Sequence, residues 1–413
     1  MEAQSHQSIR QAIEAGDYHE ALQLLTREPA ESSETLYLHA ICARKLGKPR
    51  EAMAVLDKLI QLHPRHGRAF QERGRILRAN GNAQGALAAF GRATEENPSL
   101  HESWRGQAEI LLAAGRIQEA ERIKPHIQRL VNMPKALIYS LDMLSQGSIA
   151  KAEQACREFL GENPHHVEAM RLLAQIAMKM NVFDEAEFLL ESAVLFEPED
   201  IPLKTDYINV LRKRQKLVEA REHALELFEN DKESLYFKSQ YAVISMQLGD
   251  YETALTLFDE LLTAMPGEPV TLTSKGHALK TFGMTDEAVA SYHKAVEIDP
   301  LHGDAWYALA NLKTYTFSDE DVSEMERALE SADLAFMSRV HILFALGKAY
   351  GDKKDYDRAF KAFEGGNALK KRQTRYTSEQ MQAEFEAQKT HCTAELFQNR
   401  PDTGSSAADP IFI

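Results

Sequence analysis

The sequence predicts an all-α chain in which about ten helical hairpins stack into a right-handed solenoid, and three regularities predict it. Helix-terminating prolines fall at Pro64, Pro98, Pro164, Pro198, Pro266 and Pro300, at successive intervals of 34, 66, 34, 68 and 34 residues. That is a 34-residue period with two prolines missing and one slip of two. Twelve residues before each proline stands an alanine, at Ala52, Ala86, Ala152, Ala186, Ala254 and Ala288, where the second helix of a hairpin crosses the first. One turn further along the same face comes a bulkier packing residue: Leu56, Phe90, Cys156, Leu190, Phe258 and Tyr292.

The first helices and the turns agree with this register. Gly74, Ala108, Ala174, Ala242, Gly276 and Ala310 occupy the matching close-contact position, and Gly47, Gly81, Gly115, Gly249 and Gly283 mark the turns, with Asn181 in the same slot. All of the turn residues tolerate a left-handed backbone. The pattern resembles the tetratricopeptide repeat family, and the resemblance covers residues 1 to 312. It implies a tetratricopeptide repeat solenoid with a concave surface lined by the first helices, where protein or peptide ligands would bind.

Taken in chain order, residues from Ser5 to Pro29, with Gly16-Asp17-Tyr18 between two helices, read as an N-terminal cap. The copy from His101 to Pro134 keeps Trp104, Ala108, Gly115 and Ala120 but carries Pro125 inside its second helix, which predicts a kink or a shortened helix. Around Ile201 to Lys232, Ala220 and Leu227 hold their places without a closing proline. The period breaks after Leu312, and residues 313–397 read as an atypical region. It comprises a short exposed connection, a helix capped by Ser318 and running through Met325 and Leu329, and a hairpin over Phe336–Tyr350 and Tyr356–Leu369. A charged amphipathic helix follows over Ser378–Phe397. Residues 398–413 read as a linker ending in Ile411-Phe412-Ile413, strand-like apolar sequence.

Composition narrows the classes of partner. The 413 residues carry a formal charge of −14, which argues against nucleic acid and anionic membrane as ligands. The N-terminus has no apolar signal segment, and no apolar run approaches the ~18 residues of a membrane span. Cys42, Cys156 and Cys392 are far apart and read as reduced thiols, so a cytoplasmic location is expected. No phosphate-binding, nucleophile-elbow or zinc motif is present, and the pairs His63 with His66 and His165 with His166 fall at turns leading to the next helix. No metal and no cofactor are therefore expected in this chain.

Repeat geometry supplies the candidate binding residues, because positions 2, 5, 9 and 12 of each first helix project into the groove. In one repeat these are Arg68, Gln71, Arg75 and Arg78, where three guanidinium groups share a face suited to a carboxylate or an acidic peptide, or form a solvated face. Later repeats offer Glu168, Arg171 and Gln175, then Tyr236 and Ser239, then His277 and Lys280, then Asp304, Tyr307 and Asn311. Tyr307 and Asn311 put an aromatic platform beside an amide. Trp104 and Trp306 stand at core position 4.

The stretches "ANLKTYTFSDEDVSEME", "HILFALGKAYGDKKDYDRAFKAFEGGNALKK" and "DPIFI" resemble the region that joins tetratricopeptide repeats to a catalytic domain in bacterial repeat-containing sulfotransferases. The resemblance spans Ala310 to Ile413 and implies that Ile411–Ile413 begin the first strand of a sulfotransferase domain continuing past this chain. It also implies 3′-phosphoadenosine 5′-phosphosulfate as the cofactor of the parent protein. Two functions are then expected: the substrate-recruiting half of a sulfotransferase, silent by itself, or a stand-alone scaffold that binds partner peptides.

Overall fold

The computed structural model describes residues 2–27, 29, 31–312, 314–374 and 376–398, and among them every regular element is an α-helix. The chain divides into two compact units, Met1–His223 and Ala224–Ile413. The first holds α1 (Glu2–Ala15), α2 (Tyr18–Leu25), α3 (Ser33–Lys45), α4 (Pro49–Leu62), α5 (Gly67–Ala79), α6 (Ala83–Glu96) and α7 (His101–Ala113). It continues through α8 (Ile117–Asn132), α9 (Lys135–Ser145), α10 (Ile149–Glu162), α11 (Val167–Met180), α12 (Phe183–Phe196) and α13 (Ile201–Lys213). The division falls inside α14 (Leu217–Asn230).

The second unit holds α15 (Leu235–Gln247), α16 (Tyr251–Ala264), α17 (Pro269–Phe282), α18 (Thr285–Ile298), α19 (Gly303–Ala310) and α20 (Asp319–Glu330). After these come α21 (Phe336–Asp352), α22 (Tyr356–Lys371), α23 (Ser378–His391) and α24 (Ala394–Gln398). Hairpins form as α1–α2, α3–α4, α5–α6, α7–α8, α9–α10 and α11–α12 in the first unit and α15–α16 and α17–α18 in the second, and α2, α4, α6, α10, α12, α16 and α18 each pack on the helix that follows.

The register markers act as their chemistry requires. Ala52, Ala86, Ala152, Ala186, Ala254 and Ala288 are all fully buried, and so are the six bulkier residues one turn on. A Cβ on Gly74 would stand 2.6 Å from the Phe90 ring and one on Gly106 2.7 Å from its other edge, so that ring fills a slot made by two backbones. Gly276 lies against Tyr292 in the same way. The turn slot is left-handed at Gly16, Gly47, Gly81, Gly115, Gly147, Gly249, Gly283 and Asn181, and also at Gln215 and Lys354. Trp104 donates its indole N–H to the Pro98 carbonyl at 2.9 Å, and Trp306 donates to Pro300 at 3.0 Å. Position 4 thus fastens α7 and α19 to the proline that closed the previous hairpin.

Three expectations are revised. Pro125 does not shorten its helix: α8 runs 16 residues through it, because Pro125 is exposed and water can satisfy the carbonyl its missing N–H leaves. The connection before α20 is not simply exposed, since Phe317 is buried in a core with Trp306, Tyr292, Met325, Ile342 and Tyr350. The Ser318 cap is present as a capping box with Asp321. The expected single helix over 378–397 is two, α23 and α24, and α23 buries no side chain on any face. Of the linker and strand expected over residues 398–413, Gln398 ends α24, and residues 399–413 lie outside the described residues.

Candidate functional site: groove faces of the first helices

In the first unit the arginine stripe is cross-linked to acids. The Arg68 guanidinium pairs with Asp142 of α9, whose carboxylate also accepts from Asn97 Nδ2 at 2.7 Å. Arg75 lies between Glu72 and Glu102, donating from Nε to Glu102 at 2.8 Å, and Arg44 reaches the other Glu72 oxygen at 2.5 Å. Arg78 pairs with Glu109 at 3.1 Å and covers the Phe90 ring. The Arg75 hydrogen bond holds the Glu102 carboxyl below the usual range. Gln71 is 7% exposed and faces the packing. An acidic ligand at this stripe would have to displace Asp142, Glu102 and Glu109.

The ladder continues through Arg129 with Glu168 at 3.0 Å, Arg171 with Asp206 at 2.6 Å, and Arg214 and Lys216 with Glu187 at 2.8 and 2.5 Å. Each bridge joins one hairpin to another. The acids that partner the groove arginines therefore come mostly from the neighbouring repeats.

A cavity of 460 Å³ opens beside this ladder, and repeat register explains its walls. Leu141 and Leu144 of α9, Gln175 and Met178 of α11, and Asn209 of α13 line it. These are positions 9 and 12 of three successive first helices, with position 9 alone on α13. Arg65, Lys179, Glu95, Glu96 and Asp206 supply its charged lining. Arg65 pairs with Glu96 at 3.2 Å, whereas Lys179 forms no ion pair with a described residue. Burial and the Arg65 charge both push the Lys179 ammonium below its ordinary pKa. Gln175 and Asn209 form no hydrogen bond with a described side chain.

Of the predicted residues, the cavity thus takes Gln175 and leaves Arg171 in the ladder. Sequence reasoning missed Leu141, Leu144, Lys179 and Asn209. The position rule covers all but Lys179: Asn209 follows Pro198 at the same interval as Arg75 follows Pro64.

In the second unit the groove positions carry aromatic and imidazole contacts. His277 Nδ1 meets the Tyr292 hydroxyl at 2.9 Å, and Lys280 is exposed. Tyr307 stacks on His341 with ring centres 4.8 Å apart, and His341 Nδ1 meets Asp304 at 2.6 Å. Asn311 is the exposed C-cap of α19. Tyr236 accepts from Gln240 at 3.2 Å, and Ser239 is half-buried. Tyr307 and Asn311 do stand on one exposed face, but the Tyr307 platform is already occupied by His341.

The histidine pairs have structural positions. His66 and His166 cap α5 and α11, accepting from the Ala69 and Ala169 amides at 3.1 and 3.2 Å. No cluster of three or more metal-ligating side chains exists among the described residues. Cys42 and Cys156 are buried free thiols pushed up to about 11 by burial, and Cys392 is free and exposed. No described helix is long and apolar enough to cross a membrane.

Tetratricopeptide repeat family models match residues 37–99 and 72–123, 143–205, and 271–300 and 340–371. The chain is an all-α tetratricopeptide repeat solenoid. The match at 340–371 carries the repeats past Leu312 and takes in the hairpin of α21 and α22, where Gly347, Tyr350, Ala359 and Phe363 stand in repeat-like slots. An uncharacterized protein of Aquifex aeolicus is 23% identical over 318 residues, 74% of this chain and 41% of that protein. The TPR repeat-containing protein MJ1428 of Methanocaldococcus jannaschii is 26% identical over 225 residues, 52% of this chain and 36% of that protein. The matched part is less than half the length of both relatives. The solved structure of YrrB, described as a TPR protein with an unusual peptide-binding site, is similar at 18% identity and a TM-score of 0.33, covering 53% of this chain and 97% of that one.

Proposed function

We propose that this chain is a protein-interaction scaffold that holds an extended peptide across α9, α11 and α13. The observation that supports the reading is the cavity at positions 9 and 12. It combines an apolar floor of Leu141, Leu144 and Met178 with two amide side chains, Gln175 and Asn209, that have no partner among the described side chains. Amides of this kind pair with a peptide backbone, and the floor takes one apolar side chain. Lys179 adds a cation at the rim, which favours a carboxylate on the ligand.

The test is selection from a random peptide library on the full chain. Selected peptides are expected to lose at least tenfold in affinity for the Gln175→Ala/Asn209→Ala double variant and to be indifferent to Lys280→Ala in the other unit. Peptides that bind both variants alike would place the ligand elsewhere.

A second reading rests on the tail. The resemblance of Ala310–Ile413 to the joining region of repeat-containing sulfotransferases supports a role as the recruiting part of such an enzyme, with a sulfotransferase domain in cis and 3′-phosphoadenosine 5′-phosphosulfate as its donor. Translation of the coding DNA beyond Ile413 tests it: a Gly/Arg phosphate loop following a strand is expected under this reading. Saturable binding of the donor to the 413-residue chain by calorimetry would instead put the site inside these residues.

A further inference from the structure

The first unit contains a seam. Its second helices α2, α4, α6, α10 and α12 each pack on the helix that follows, whereas α8 does not pack in this way on α9, to which Met133 and Pro134 join it. In a repeat array each hairpin rests on its neighbours, so a contact missing between two of them has to be replaced from elsewhere. Here the hairpin of α5 and α6 supplies it, from the far side of α7 and α8. Asp142 of α9 is 8% exposed and holds three groups from that hairpin and the connection after it: the Arg68 guanidinium, Asn97 Nδ2 at 2.7 Å and the Ser99 hydroxyl at 3.4 Å. Arg129 of α8 adds a second bridge over the seam, to Glu168 of α11 at 3.0 Å.

Two cavities draw their walls from both sides of this seam. The cavity of 460 Å³ is lined by Glu96 and Pro98 from the one side and by Leu141, Gln175 and Asn209 from the other. A second, of 540 Å³, takes Tyr37 and Asn97 from the one side and Leu144, Gln146 and Lys179 from the other. Burial reports the same closure. Leu112 of α7 and Leu144 of α9 both hold repeat position 12, yet Leu112 is 54% exposed and Leu144, which lines both cavities, is 5% exposed. Rotation about Met133 and Pro134 parts these walls without breaking any hairpin, and the Asp142 cluster opposes that rotation.

We infer that the groove site closes at this seam: Asp142 is a positioning residue that holds α1–α8 against α9–α13, and a ligand seated between the two groups keeps the cavity shut. The part concerning the ligand rests on the peptide reading above. A ligand that touches both walls binds the closed form better and shifts the population towards it. The test places spin labels on Ala54→Cys of α4 and Lys151→Cys of α10, both exposed positions, in the full chain carrying Cys392→Ser, since Cys42 and Cys156 are buried. Without peptide, this chain is expected to give one narrow distance between the labels, and Asp142→Ala a distribution at least twice as broad. Arg68→Gln leaves the bond from Asn97 to Asp142 in place and is expected to broaden it less, which keeps the test open if Asp142→Ala fails to fold. A library peptide shown to need Gln175 and Asn209 is expected to bind Asp142→Ala about fivefold more weakly and, at saturation, to restore the narrow distance. An unchanged distance in the folded variants would overturn the seam, and that result does not depend on the peptide reading because no peptide is present. Broadening that such a peptide does not reverse would overturn the coupling between seam and site.

Discussion

The groove faces of the two units are built on one helical hairpin yet held by different chemistry. In the first, guanidinium groups of one helix reach carboxylates of another, as Arg75 does to Glu102, Arg171 to Asp206 and Arg68 to Asp142. In the second, rings do this work: Tyr307 stacks on His341 and His277 meets Tyr292. Repeat packing fixes only the small and bulky residues where helices cross. The groove positions are then free to carry any side chain that bridges to a neighbour, and a stripe of arginines in a sequence does not imply free charge.

The largest effects should fall on what the units share. Gly74→Val and Gly276→Val each place a branched side chain into an aromatic ring, and each is expected to cost about 3 kcal/mol. The two losses should be similar, as thermal and denaturant unfolding of each variant would reveal. A much smaller loss for one would mean that its slot can relax and that the packing is not equivalent.

Next in size is a difference between the units. Asp142→Ala removes the acceptor of Arg68 and leaves the buried Asn97 amide without its partner, an expected cost of about 2 kcal/mol. Asp304→Ala removes the partner of His341 from a largely exposed site, where a loss of about 0.5 kcal/mol is expected. Added salt should weaken the exposed bridges such as Arg78 to Glu109 more than the Asp142 cluster. Equal costs for the two aspartates would erase the distinction between a ladder and a set of surface pairs.

These differences show how far the fold and the site were legible. Proline period, alanine and glycine slots locate the hairpins because they report contacts inside one repeat, which the sequence spacing contains. The partner of Arg68 is 74 residues away on α9, and no local pattern encodes that. On the fold side, Gly347, Tyr350, Ala359 and Phe363 put the last hairpin in repeat-like slots, whereas Lys354 in its left-handed turn carries no sequence signal. The cavity was half legible, since positions 9 and 12 of α9, α11 and α13 follow the groove rule. Asn209 follows Pro198 as Arg75 follows Pro64, so the rule reaches it, whereas Lys179 lies outside positions 2, 5, 9 and 12.

The smallest expected effect concerns a cap that only the first unit has. His66 accepts the Ala69 amide at the start of α5 as a neutral ring, and burial holds its pKa below the ordinary value near 6.5. The unfolded chain therefore binds a proton at a higher pH than the folded one. Stability from this group is complete above about pH 6.5 and is lost as pH falls towards the folded value, since protonating Nδ1 ejects the Ala69 N–H. The caps of α15, α16 and α17 are Ser234, Asp250 and Glu268, and none contains an imidazole. Amide exchange at Ala69 should accelerate between pH 7 and pH 5 beyond the intrinsic change, by severalfold, while that at Phe237 beside Ser234 should not. His66→Asn keeps a side-chain acceptor at the cap and removes the titration, so its Ala69 amide should stay protected across the range. If it accelerates as the unsubstituted chain does, the acid response does not come from the His66 cap.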